Sequence, residues 1–77
     1  MTEFGRKLNE ILKTMGMDGR GTAQLMSRET GLGHTSTWRW IQGLKTPHMT
    51  NVVKIVKWVN DKRKEYQLKP ITPKDLL

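Results

Sequence analysis

The chain has 77 residues and no cysteine, and its 14 Lys and Arg against 7 Asp and Glu give a formal charge of +7 with both histidines neutral. Such a length holds one small domain burying about 60% of its unfolded surface, and the missing thiols exclude a disulfide framework and a thiolate metal site while fitting a reducing cytoplasm. No apolar run nears the ~20 residues of a membrane span and no secretory leader is expected at Met1 to Arg6, so the chain reads as soluble and intracellular, its charge favouring a polyanionic partner over a merely solvated basic surface.

Phe4, Leu8, Ile11, Leu12 and Met15 recur at helical spacing and predict a first helix over about 2–15, with Arg6, Lys7 and Lys13 off the apolar stripe. Gly16, Gly19 and Gly21 then interrupt any regular element, and a loop is expected. Thr22 is a plausible N-cap for a second helix reaching Thr30, with Met26 and Ser27 facing inward. Gly31 sits where that helix must stop and reverse, because glycine enters the left-handed region without a steric cost.

A third helix is expected over 34–42, ending at Gly43. Thr37, Trp40, Ile41 and Leu44 are spaced to anchor it, leaving His34, Thr35, Ser36, Trp38, Arg39 and Gln42 outward. Two helices joined by a turn of 3–4 residues read as a helix-turn-helix. Pro47 is suited to the first turn of a fourth helix carrying Met49, Val52, Val53, Ile55, Val56 and Val59. Residues 51–59 alone would also pass for a strand, but the 3–4 spacing and the cations that follow favour a helix. From Lys62 the composition turns basic and polar, which divides the chain into a domain over 2–60 and an extension or tail over 61–77. In that tail Thr72, Pro73 and Asp75 form a helix-opening pattern with little chain after it; a disordered tail, a turn docked on the body or on a second subunit, and the start of a longer region all fit.

Taken together, Leu8, the run Met26 to Leu32 around Gly31, the run Thr37 to Gly43, then Lys45, Thr46 and Pro47, and the apolar Asn51 to Val59 resemble the phage Cro and lambda-repressor-like (XRE-type) helix-turn-helix family over roughly 4–59. The chain departs from it at Ser27, where the family has alanine, at Thr37, where it prefers valine or isoleucine, at Gly33 in a Ser/Thr cap position, and in a longer glycine-rich first loop. The resemblance implies an all-α bundle of four to five helices that binds a double-stranded DNA operator as a transcriptional regulator, most simply a phage-type repressor acting as a homodimer. His34, Thr35, Ser36 and Arg39 are then the base-contacting residues, Arg39 by two bonds to a guanine. Trp38 joins them by packing on thymine methyls or sugars, or instead covers the neighbours of Trp40 or the first helix. Arg20, Thr22, Gln24, Gln42 and Lys45 become the backbone contacts, and Trp58, with Tyr66 and Leu68, a dimer surface.

An antitoxin-type DNA binder of the same fold and a protein-binding adaptor are the competing readings. Enzyme chemistry is not expected, because the seven carboxylates are scattered and no nucleophile and base pair up in any recognisable spacing. His34 and His48 lack metal-ligand spacing, and neither a cofactor, a small-molecule ligand nor a membrane is expected as partner.

Overall fold

Capping and apolar spacing fix the first helix. In the computed structural model, which describes residues 1–17 and 21–77, the Thr2 hydroxyl accepts a hydrogen bond from the Gly5 amide at 2.9 Å and opens α1 (Glu3–Lys13). Its stripe of Phe4, Leu8 and Leu12 is buried, and Met15 joins the core from the turn beyond the helix. On the outer side Arg6 is held by Glu3 at 2.8 Å and Glu10 at 2.9 Å, one turn away in each direction.

Next come α2 (Thr22–Thr30), α3 (His34–Ile41), α4 (Met49–Glu65) and a 3-10 turn at Pro73–Asp75, and the described residues contain no strand. The core is apolar and drawn mostly from the helices, built by Phe4, Leu8, Leu12, Met15, Met26, Trp40, Val52, Ile55, Val56, Trp58, Val59 and Leu76. None of the helices among the described residues is long and apolar enough to cross a membrane. The β-branched run of α4 is helical because one arc of it is buried against the other helices, which outweighs its low intrinsic propensity.

Several local expectations need correction. The N-cap of α2 is Gly21, at φ 87°, and Thr22 is instead the first helical residue. Entry through a left-handed glycine turns Thr22 inward, where its hydroxyl donates to the Met17 carbonyl at 2.7 Å. Pro47 is buried ahead of the α4 cap His48 rather than within the first turn. On α4 the inward arc is Val52, Ile55, Val56, Trp58 and Val59; at about 100° per residue Met49 and Val53 fall on its outer edge and are exposed.

Trp58, expected on a dimer surface, is instead buried within the chain. Only 6% exposed, it donates its indole N–H to Glu29 Oε1 at 2.9 Å, and Lys62 Nζ reaches the same oxygen at 2.8 Å, pinning α2 to α4. The Lys62 hydrogen bond, followed by that of Trp58, holds the Glu29 carboxyl below its ordinary value of 4.5. Because the folded value is the lower one, this contribution is complete above the ordinary carboxylate range and is lost as pH falls through the folded value. Glu29→Gln should accordingly be less stable than the parent at pH 7, with the difference narrowing as pH falls below the ordinary carboxylate range, as read from urea unfolding across that pH range.

The tail docks on the body. Helix α4 runs unbroken past residue 60, and Asn60 then forms a two-bond clamp with Ile71, donating to its carbonyl at 3.0 Å and accepting from its amide at 2.8 Å. Thr72 and Asp75 close a capping box around Pro73, and Leu76 is wholly buried.

Candidate nucleic-acid interface

The turn between α2 and α3 is Gly31, Leu32 and Gly33. Gly31 at φ 78° ends α2, its amide still bonded to the Ser27 carbonyl, while the Ser27 hydroxyl reaches across the turn to the Leu32 carbonyl at 2.6 Å. Gly33 caps α3 without a side chain, so the first amides of α3 have no side-chain acceptor.

Three contacts fix how α3 is rotated and where it ends. Thr37 is fully buried, and its hydroxyl lies 3.0 Å from both the Ala23 and His34 carbonyls, locking α3 on the start of α2. Trp40 fills the core. At the far end the Asn9 amide donates at 2.8 Å to both the Gly5 and Ile41 carbonyls, tying α1 to the last turn of α3. Leu44, expected as a fourth anchor, is 62% exposed, because Gly43 at φ 73° has already turned the chain out of the helical path.

With Thr37 and Trp40 turned inward, His34, Thr35, Ser36, Trp38, Arg39 and Gln42 are all exposed. At about 100° per residue they form two adjoining rows, Thr35 with Arg39 and His34 with Trp38 and Gln42, while Ser36 lies alone on the opposite flank. Gln24 on α2 and Lys45 in the loop after α3 are also exposed. Thr22 is not available in the same way, being buried with its hydroxyl bonded, and Arg20 lies outside the described residues. Tyr66 and Leu68 are exposed at and just beyond the end of α4, whereas Trp58 is buried.

The sequence around α3 is free of negative charge. From Thr30 to Asn60 the sequence contains no carboxylate at all, while Arg39, Lys45, Lys54 and Lys57 fall within it. Three cations elsewhere are engaged: Arg6 by Glu3 and Glu10, Lys62 by Glu29, and Arg63 by the Lys69 carbonyl at 2.6 Å. Among the described residues, the guanidinium of Arg39 and the ammonium of Lys45 make no hydrogen bond or ion pair. A planar five-donor fork left open on a rigid helix suits recognition of paired acceptors, and an open lysine suits a phosphate.

Sequence reasoning missed Asn9 as a support of this face, since a polar residue within α1 carries no local sign of a partner 32 positions on. Thr37 was legible as an anchor but its bond to Ala23 was not. No cluster of three or more His, Cys, Asp or Glu that could hold a metal occurs among the described residues. No family model matches the chain, nor does any curated protein or solved structure.

Proposed function

We propose that the chain is a sequence-specific double-stranded DNA-binding regulator of transcription, of the phage-repressor kind, which lays α3 in the major groove. The observation that carries this reading is the exposed face of α3. Its guanidinium has no partner among the described residues, its helix is locked from both ends, and it lies in a stretch of chain free of negative charge.

Arg39 would donate two bonds to the O6 and N7 of guanine, with His34, Thr35 and Ser36 beside it on neighbouring base edges. Lys45, Gln42 and Gln24 would hold phosphates, assisted by the first amides of α3. Such a protein works in the cytoplasm of a bacterial or infected cell, and two copies on a palindrome would place their α3 helices about one helical turn of DNA apart. Tyr66 and Leu68 remain the candidates for contact between copies. The exposure of Leu44, Met49 and Val53 favours a second reading, a protein-binding adaptor that uses these apolar side chains.

Salt and two variants separate the readings. Binding to a duplex selected from random DNA should weaken with a log–log slope of about −0.9 per phosphate contacted. Arg39→Ala should erase preference at one base position, at roughly 1–3 kcal/mol, whereas Lys45→Ala should weaken all sequences alike and make the slope shallower by about one contact. A selection that returns no common sequence, with binding insensitive to salt, refutes the DNA reading and leaves the adaptor.

A further inference from the structure

Of the three tryptophans, two are explained by packing: Trp40 is buried in the core, and Trp58 is buried with its indole N–H on Glu29. Trp38 is not. It is 46% exposed, and among the described residues its indole makes no hydrogen bond and no ring or cation contact. A half-open indole on a small basic protein is a site where apolar surface waits to be removed from water.

Its place on α3 says what covers it. Trp38 is one residue from Arg39 and is flanked along its own row by His34 and Gln42, a turn away on either side. It therefore belongs to the same groove-facing surface as the open guanidinium. In the major groove the edges of the bases offer hydrogen-bond donors and acceptors with one apolar exception, the methyl group on C5 of thymine. Cytosine carries a hydrogen there, and 5-methylcytosine carries the same methyl as thymine.

Resting on the DNA reading above, we propose that Trp38 is a reader of the pyrimidine C5 methyl group, so that the preferred duplex carries a methylated pyrimidine beside the guanine met by Arg39. Contact with one methyl removes about the apolar surface of a single methylene, which corresponds to roughly a fourfold change in affinity. Because the contact is to the methyl and not to the rest of the ring, thymine and 5-methylcytosine satisfy it equally. Binding then responds to cytosine methylation wherever a cytosine takes the place of that thymine.

The test uses the duplex selected by the parent protein, with each thymine replaced in turn by deoxyuridine, which removes the methyl alone. The expected result is a loss of about fourfold at one thymine per half-site. With cytosine at that position, adding the 5-methyl group should raise affinity by about the same factor, and an effect confined to thymine would overturn the equivalence of the two pyrimidines. With Trp38→Ala, checked for an unchanged thermal melt, the deoxyuridine penalty should vanish while the penalty for replacing the guanine persists; Trp38→Phe should retain part of it.

Deoxyuridine that is silent everywhere, or a penalty that survives Trp38→Ala, overturns the proposal while leaving the DNA reading intact. So does a Trp38→Ala protein weakened equally on all sequences, which would place the indole on the sugar-phosphate backbone. Failure to select any duplex overturns both.

Discussion

Leu76→Ala should cost about 3 kcal/mol of stability, lowering the melting temperature on the order of 12–24 °C, whereas Leu77→Ala should change it by under about 0.5 kcal/mol. The two leucines are adjacent and chemically identical, but Leu76 is wholly buried in the core and Leu77 is half exposed. Truncating a buried leucine loses its transfer from water and leaves a cavity, and this site is bounded by rigid neighbours. Asn60 clamps Ile71 by two hydrogen bonds and the Thr72 and Asp75 box holds the turn, so the tail cannot easily collapse into the space. A chain of this length has roughly 4–12 kcal/mol of stability to lose, which makes such a change large. Thermal unfolding followed by circular dichroism reads both variants. Equal and small effects would show that the tail rests loosely on the surface in solution.

That tail illustrates what the sequence made legible. Thr72, Pro73 and Asp75 announced a helical start, and the start is there, but whether it docked depended on Leu76 finding room beside α4, which no local pattern records. Gly31 and Gly43 were legible for a stronger reason, since each stands where a helix must end and each adopts a positive φ. The misreading of Leu44 came from carrying helical spacing past Gly43, after which a residue no longer shares the stripe.

The fourth helix failed differently. Its apolar residues outnumber one face, so two overlapping arcs fitted the spacing equally, one including Met49 and Val53 and the other including Trp58. Glu29 decides between them by accepting the indole N–H from another helix, information held in a pair 29 residues apart. At the candidate interface the outward set on α3 followed from periodicity, because Thr37 and Trp40 fix the buried side. The cations left without partners did not follow from it: Lys62 and Arg63 read like Arg39 in the sequence, and only folding engages them.

Gly5→Ala should destabilise the protein by about 2 kcal/mol, opposite in sign to the ~1 kcal/mol gain that helix propensity alone gives an alanine inside a helix. A Cβ at this position would stand 2.7 Å from the Gly43 Cα and 2.9 Å from the Trp40 carbonyl oxygen. Both are backbone atoms, so no side chain can swing away. The same junction carries the hydrogen bond from the Thr2 amide to the Gly43 carbonyl at 3.0 Å and the bonds from Asn9 to the Gly5 and Ile41 carbonyls. Relief of the clash requires α1 to move off the end of α3, which breaks the Thr2–Gly43 and Asn9–Ile41 bonds together. Asn9→Ala alone should also destabilise, by leaving the part-buried Ile41 carbonyl without this donor, and the double variant should lose less than the sum because both act on one contact. Urea midpoints of the two single variants and the double variant measure the coupling. If α3 reads DNA as proposed, its end sets the reach of Arg39 and Lys45, and Gly5→Ala should further reduce affinity for the selected duplex under conditions where the protein remains folded. A more stable Gly5→Ala protein would mean that α1 withdraws from residue 43 without cost, and α3 would then lack the fixed footing that sequence-specific reading requires.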